Sequence, residues 1–579
     1  MGAVTRPFWR GPNFLVATDS ALLFCVVCLA IVVCSLWSPE KSMKRKAPES
    51  DRVLEAAWIF LAVIVLALVI GIRIRFLGIP LERDEGEYAY AGQLMLQGIP
   101  PYKLAYNMKF PGTYGAYALI MAIFGQTIVA IHLGLLVVNA ATIFLIFLLG
   151  RRLINSIAGI VAAMAYAVLS LSQSVLGFAA HASHFVMLPV VGGTLLLLND
   201  SDARNFERLF VSGLLFGTGL LMKQPAVFFI LFGALYLLSK DLRRKPGWKR
   251  IVLRNLTFCL AAIVPLAIAC LFLWRAGVVD KFWFWTINYA RQYGSRIPLG
   301  AAPKMFAEAF PAVIDSGWLL WMLAGIGLVA GLWNVRTRTG TVFLLGLFVF
   351  SFLALSAGFY FRDHYFIFIL PAVSLFVGVA ISSLCTLAAR RGSLVRFAPL
   401  LLFCMAFSQP ILAERKFYFE VSPVEASRIS YPGNPFPESV RVAEYLREHT
   451  EASDTIAVVG SEPQIYFYSK RHSATGYIYT YGLMEPQKYA RRMQEEMINQ
   501  IESARPKYLI SIGVPESFLQ QPESERLIFA WADDYVEKFY DVVALVNILS
   551  RDHTDYYFDQ LPSPMPKLGN YIFICRRKS

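Results

Sequence analysis

The stretch 54-LEAAWIFLAVIVLALVIGIRIRFLGIPLERDEGEY-88 joins a long apolar run to a dense cluster of charge. Residues 54 to 72 carry one charged side chain, Glu55, and then four of the six residues 83 to 88 (Arg83, Asp84, Glu85, Glu87) are ionisable. Nineteen positions with a single charge suit a helix crossing the roughly 30 Å of a bilayer core. Acids left in hydrocarbon would each cost roughly 2.5–3.5 kcal/mol on insertion scales. The carboxylates are therefore expected at or beyond the membrane edge, where a substrate delivered by the bilayer could meet them.

Composition extends this reading to the whole chain. Of 579 residues 56% are hydrophobic and only 16% charged, with a mean hydropathy of +0.52. A soluble domain carries about 25% charged residues, so the expected class is a polytopic α-helical membrane protein. The net charge of +14 does not point to nucleic acid, because the basic residues are scattered between apolar runs. Seven of the eight cysteines lie in such runs. Cys25-x-x-Cys28 has no neighbouring charge to lower a thiol pKa and reads as buried small residues.

Span-length apolar segments recur about eleven times from residue 54, near 54–76, 129–150, 155–174, 184–199, 208–222, 225–239, 251–274, 316–334, 341–360, 366–388 and 397–413. Alternating the connections puts 41–52, 151–152, 204–208, 240–254, 336–338 and 390–396 on one side, with 21 Lys and Arg in short loops. The positive-inside rule makes that side cytoplasmic. The longer loops and the tail then face the periplasm or exterior. Residues 21–37 could form a twelfth span, but Arg6 and Arg10 before them oppose Lys41, Lys44, Arg45 and Lys46 after them. No cleavage site marks a signal peptide.

Three parts follow: 1–53, an apolar segment and basic linker; 54–413, a transmembrane domain whose first outer loop is 79–128; and 414–579, a polar tail. In the tail, strand-like runs at 455–460, 508–513, 541–549 and 571–575 alternate with helical runs at 437–449 and 485–504. That alternation predicts a small extracytoplasmic α/β domain. Gly460-Ser461 after a strand is too little to claim a nucleotide site.

On this topology the unusual polar groups fall on the outer side. The first outer loop holds Asp84, Glu85, Glu87, Tyr88, Tyr102, Tyr106, Asn107 and Lys109; short outer turns hold His181 and His184, Lys223, and Arg362 with His364. Asp84 or Glu85 could serve as a general base, or both could complement a helix N-terminus. Lys109, Lys223 and Arg362 could neutralise a phosphate or snorkel to headgroups. His181 and His184, at i and i+3, could share a helix face and bind metal; two histidines without a third ligand favour packing or polar lining. The aromatic and cationic stretch 282-FWFWTINYARQYGSR-296 reads as an interfacial amphipathic helix.

At these residues the chain resembles the GT-C superfamily of lipid-linked sugar transferases, in the bacterial branch similar to protein O-mannosyltransferases and the lipid A aminoarabinose transferase. The resembling stretches are 83-RDEGEYAYAGQLMLQGIPPY-102, 107-NMKFPGTYGAYALIMAIFG-125, 219-GLLMKQPAVFF-229, 363-DHYFIFILPAVSLFVG-378 and the tail from 437 to 471. The resemblance implies sugar transfer from a polyprenyl-phosphate donor to a glycolipid, glycan or protein acceptor at the outer face of a plasma or bacterial inner membrane. Asp84 then stands where the superfamily has its essential acid, with Glu85 beside it. Lys109 stands where a Lys-Pro segment meets the carrier phosphate, although here the order is Lys109-Phe110-Pro111. Lys223, Arg362 and His364 would add to the phosphate site. Tyr88, Tyr102, Tyr106, Asn107, His181 and His184 would line the cavity, and Glu462 and Tyr466 would face the acceptor. Ser183-His184 replaces a second acid found in many relatives, so a divalent metal is an option rather than a requirement. A flippase for a lipid-linked saccharide, a ligase using a diphosphate donor and a non-catalytic assembly protein are the competing readings.

Overall fold

The computed structural model describes residues 49–198, 205–391 and 393–578. The apolar stretch 21–37, its three cysteines and the basic residues 41–46 lie outside them. The chain divides into two compact units, each drawn from separate pieces of sequence.

The first unit gathers the described residues up to Leu77, then His132–Ile268 and Ile297–Glu420. It is helical, and the protein is an integral membrane protein. Across the described residues seven helices are long and apolar enough to cross a membrane: Val53–Arg75, Ile128–Leu153, Gln224–Arg244, Trp248–Arg275, Val335–Leu355, Leu370–Ala388 and Leu394–Ala413. The pair Leu299–Asp315 and Trp318–Trp333, bent by 107°, makes an eighth if taken as one span. Of the eleven expected segments, 155–174, 184–199 and 208–222 form the shorter helices Ser156–Leu169, Ala182–Leu198 and Phe206–Met222. Ser156–Leu169 is buried along nearly its whole length. An apolar helix wrapped by other helices has no need to match the bilayer in length, and hydropathy cannot separate that case from a lipid-facing one. Elsewhere the lipid-facing pattern is plain, with Phe60, Val329, Leu401 and Met405 all exposed.

With lipid outside and apolar side chains inside, close packing rather than water exclusion must hold such helices together. Small residues permit it. A Cβ at Gly327 would sit 1.9 Å from the Phe376 carbonyl oxygen, and one at Gly378 would sit 2.3 Å from that of Ala158. Trp318–Trp333 and Ser156–Leu169 thus clasp Leu370–Ala388 from two sides.

The second unit comprises Gly78–Ile131, Ala269–Arg296 and Val421–Ser579. Its sheet has six strands: β1 (Thr455–Val459), β2 (His472–Ser473), β3 (Tyr508–Gly513), β4 (Tyr540–Ser550), β5 (His553–Phe558) and β6 (Asn570–Arg577). The order is β2-β1-β3-β6-β4-β5. β1 runs parallel to β2 and β3; β6 pairs antiparallel with β3 and β4, and β4 with β5 as a hairpin. The parallel half reads as a continuous apolar run, TIAVV, because residues 456–459 are buried. The two segments from earlier in the chain belong to the same fold. Helix Arg83–Leu96 packs on Gly112–Phe124 and on Gln464–Ser469 so closely that a Cβ at Gly86 would lie 2.7 Å from the Gln464 Cβ. Tyr90 stacks near Tyr466, with ring centroids 5.2 Å apart.

Candidate functional site

Charge patterning starts the helix Arg83–Leu96. Glu82 is its N-cap; its side chain accepts the Glu85 N–H at 2.9 Å, and the Glu85 carboxylate accepts the Glu82 N–H at 3.2 Å. This reciprocal capping box satisfies two orphan donors at the start of the helix. It also assigns Glu85. Predicted as a catalytic neighbour of Asp84, it is buried and occupied with capping, since consecutive side chains point about 100° apart on a helix. Burial, with Asp84 and Glu85 nearby, holds the Glu82 carboxyl well above its ordinary pKa.

Asp84 shares its helix face with Glu87 instead, at i+3. The Lys109 ammonium lies 2.8 Å from Asp84 Oδ1 and 2.8 Å from Glu87 Oε2. Tyr479 donates its hydroxyl to Asp84 Oδ1 at 3.1 Å. Glu87 is sealed in: it accepts from Asn107 Nδ2 at 2.7 Å and from the Tyr114 hydroxyl at 2.5 Å. Its side chain is 1% exposed, against 18% for Asp84 and 19% for Lys109. Burial raises the pKa of Glu87 above the ordinary carboxylate range despite Lys109. Burial alone would strip the charge from Lys109, but Asp84 and Glu87 outweigh it and hold the ammonium well above its ordinary pKa. The lysine also rests 4.6 Å from the ring centroid of Tyr88 and 5.5 Å from that of Tyr479. Asp84 is thus the partly exposed member of a carboxylate pair bridged by one ammonium.

Tyr102, in a left-handed conformation (φ +65°), is buried and donates its hydroxyl to the Lys109 carbonyl at 2.6 Å. Tyr88, Tyr102 and Asn107 therefore brace Lys109 and Glu87 from inside rather than offering an open lining. Tyr106 is buried as well, stacked on Trp285. Glu462 and Tyr466, expected to face an acceptor, are fully buried. Glu462 pairs with Arg83 at 2.6 Å, and the Tyr466 hydroxyl accepts the Val458 N–H at 2.8 Å. Both hold the helix Arg83–Leu96 to the sheet. Tyr479 is the candidate that sequence reading missed, and Glu87, named among the outer-loop groups, is not paired there with Asp84. The i, i+3 spacing from Asp84 signals Glu87; nothing local signals Tyr479, 395 positions away.

The first unit carries its own cluster. Lys223 caps the helix Phe206–Met222 in extended conformation, and its ammonium sits 3.4 Å from Ser183 Oγ and 3.8 Å from the Tyr365 ring centroid. His181 does not share a helix face with His184, because the helix begins at Ala182. It stacks on His364 instead, with centroids 4.0 Å apart and planes inclined by 12°. His184 is buried with neither ring nitrogen hydrogen-bonded. Arg362 is exposed, its guanidinium 5.5 Å from the Tyr360 ring. His181 and His364 bring two imidazoles together of the type a divalent metal takes as ligands.

Residues 111–269 match the family described as dolichyl-phosphate-mannose-protein mannosyltransferase. No curated protein matches the chain in sequence. Among solved structures, ArnT from Cupriavidus metallidurans bound to undecaprenyl phosphate superposes with a TM-score of 0.56 at 12% identity, covering 91% of this chain and 98% of that one. Its apo form gives 0.57 at 14% identity, covering 90% and 98%. The Archaeoglobus fulgidus oligosaccharyltransferase in complex with Zn and sulfate gives 0.50 at 15% identity, covering 88% and 74%. The fold is that of ArnT from Cupriavidus metallidurans. The likeness appears twice, in sequence over part of the membrane region and in fold over nine-tenths of the chain.

Proposed function

We propose that this protein transfers a sugar from a polyprenyl-phosphate donor to a hydroxyl acceptor at the outer face of the membrane, with inversion at the anomeric carbon. The observation that carries the reading is the contrast within one helical turn between Asp84, partly exposed, and Glu87, sealed, both held by Lys109. A general base needs a carboxylate that is ionised, fixed in direction and open to a substrate. Lys109 and Tyr479 fix the direction of the carboxylate at Oδ1, and its partial exposure leaves it open to a substrate.

In the proposed step the acceptor hydroxyl gives its proton to Asp84 and its oxygen attacks the anomeric carbon. The carbon–oxygen bond to the phosphate breaks, and its electron pair leaves with the polyprenyl phosphate. The leaving group is already an anion, so fixed positive charge rather than an acid is the main demand. Lys223 is assigned to that phosphate. Its ammonium leans on the Ser183 hydroxyl and the ring face of Tyr365, the residue that follows Arg362, Asp363 and His364 in the chain. Lys109, engaged by two carboxylates, is a positioning residue for Asp84 rather than a phosphate anchor. His181 and His364 could hold a divalent ion. Glycolipid, glycan and protein acceptors all fit this chemistry.

The test uses purified full-length protein and radiolabelled polyprenyl-phosphate sugar. Wild type should release polyprenyl phosphate and label an envelope glycolipid, glycan or protein fraction, while Asp84→Asn should bind the donor and leave it intact. Donor that crosses a vesicle bilayer uncleaved would instead identify a flippase and overturn the reading.

A further inference from the structure

The helix Ala490–Ala504 of the second unit turns Met493, Met497 and Ile501 into the domain. Its opposite face carries Arg492, Glu496, Asn499 and Ser503 at helical spacing. Eleven residues of helix separate the first from the last, about 16 Å of polar surface. That face borders an open groove of about 890 Å³, completed by Lys103, Lys281 and the chain at 474–476.

Two polar groups of the groove, Gln500 and Glu496, are set in place before any ligand arrives. Gln500 Oε1 accepts from Thr475 Oγ1 at 2.6 Å and from the Gly476 N–H at 3.0 Å. Glu496 accepts from Gln500 Nε2 at 3.2 Å and from the Tyr477 hydroxyl at 2.9 Å, and pairs with Lys281. Side chains fixed this way lose little freedom on binding.

This chemistry narrows the ligand. A phosphate or other compact anion is poorly served, because Glu496 already engages Lys281 and Glu495 lines the groove beside it. A cation meets Lys103 and Arg492. A peptide added as a strand needs free backbone groups, but the Thr475 and Gly476 N–H groups donate to Ser473 Oγ and Gln500 Oε1, and the Gly476 carbonyl accepts from Tyr106. A peptide docked by side chains needs apolar pockets, and Leu104 is the one large aliphatic side chain in the lining. Closely alternating donors and acceptors over such a length match a chain of hydroxyl groups.

We propose that this groove binds a net-neutral, polyhydroxylated oligosaccharide, the glycan portion of the acceptor. The assignment rests on the glycosyl-transfer reading and narrows its acceptor class. The test is a binding measurement on full-length protein in detergent. Probes are neutral tetrasaccharides built from glucose, mannose, galactose and N-acetylglucosamine, with inorganic phosphate and an uncharged octapeptide as competitors. Asn499→Trp fills the groove and Arg492→Ala removes a donor; both sites are exposed, and a thermal melt checks that each variant folds. Wild type should retain at least one tetrasaccharide, Asn499→Trp should weaken it tenfold or more, and neither competitor should displace it. Equal retention by wild type and Asn499→Trp, no retention of any tetrasaccharide, or displacement by phosphate or peptide overturns the proposal. Release of polyprenyl phosphate by wild type, measured separately, tests the transfer reading, so glycan binding without donor cleavage would sink that reading and leave the groove standing.

Discussion

Arg83 and Asp84 are consecutive residues on one helix, yet their side chains sit in opposite environments. The Arg83 guanidinium is sealed: it pairs with Glu462, donates to the Ser461 carbonyl and the Tyr481 hydroxyl, and lies 5.3 Å and 5.2 Å from the ring centroids of Phe436 and Tyr481. Burial opposes its charge, but Glu462 outweighs burial and raises its pKa. The Asp84 carboxylate keeps partial exposure beside Lys109. Two ion pairs begin within one helical turn, one closed on the sheet domain and one open. The closed pair orients the helix, and the open one is the pair to which the proposed chemistry is assigned.

The sharpest way to break this comparison is Asp84→Asn. If Asp84 is the base, transfer should fall by about 10²–10⁴-fold, while the melting temperature changes little, because its shape and one hydrogen-bond acceptor are kept. Near-normal turnover in a folded preparation would move the chemistry elsewhere. Glu462→Ala should have the reverse profile. It strands a buried guanidinium, and breaking a buried pair from one side costs about 3–5 kcal/mol. Thermal melting and protease resistance of the second unit should show it. The double change Arg83→Met with Glu462→Leu should recover most of that stability, since a buried pair replaced by packed apolar groups is often neutral. If Glu462→Ala melts like wild type, the sealed pair is not what fixes the helix.

Much of this architecture is legible in the chain itself, in proportion to how local its causes are. Hydropathy locates each of the eleven apolar segments, and every one is a helix; it misjudges the length of Ser156–Leu169, which is wrapped by protein. Strand-like runs at 455–460, 508–513, 541–549 and 571–575 correspond to β1, β3, β4 and β6. The two-residue β2 and the polar hairpin partner β5 carry no comparable apolar signal. Reading Asp84 with Glu85 as a pair follows adjacency in sequence, whereas a helix pairs i with i+3, so Glu87 is the true neighbour and Glu85 turns back to the cap. Arg83 to Glu462, Asp84 to Tyr479 and His181 to His364 span 379, 395 and 183 positions. No local pattern encodes such partners, because tertiary packing makes them.

A smaller effect sharpens the division of labour within the acids. Glu85→Ala removes one half of the capping box and should cost about 1 kcal/mol, the usual worth of a cap, with transfer reduced no more than a few-fold. Chemical denaturation of the full chain in detergent measures the first and the labelled-donor assay the second. A loss of transfer as deep as that of Asp84→Asn, without loss of folding, would return Glu85 to the catalytic pair.

The smallest effect is a pH dependence and concerns the sealed acid. The pKa of Glu87 is raised by burial above its ordinary 4.5, so the folded chain binds that proton more tightly than the unfolded chain does. Where the native state holds more protons, stability falls as pH rises. The contribution of Glu87 is therefore most favourable below its unfolded pKa and declines from about pH 4.5 up to its raised native value. Lys109 works in another window: its raised pKa keeps its contribution intact below 10.5 and loses it only as pH climbs through the higher native value. Unfolding free energies of wild type and Glu87→Gln, followed from pH 4 to 8, should then differ in slope. Glu82, also raised, tilts both proteins alike and cancels in the difference. Wild type should lose stability across the lower part of that range relative to the variant, in which Gln keeps the shape of Glu87 without a proton to give up. Parallel curves would mean that Glu87 titrates as an ordinary surface acid, and the contrast between a sealed Glu87 and an open Asp84 would fail with it.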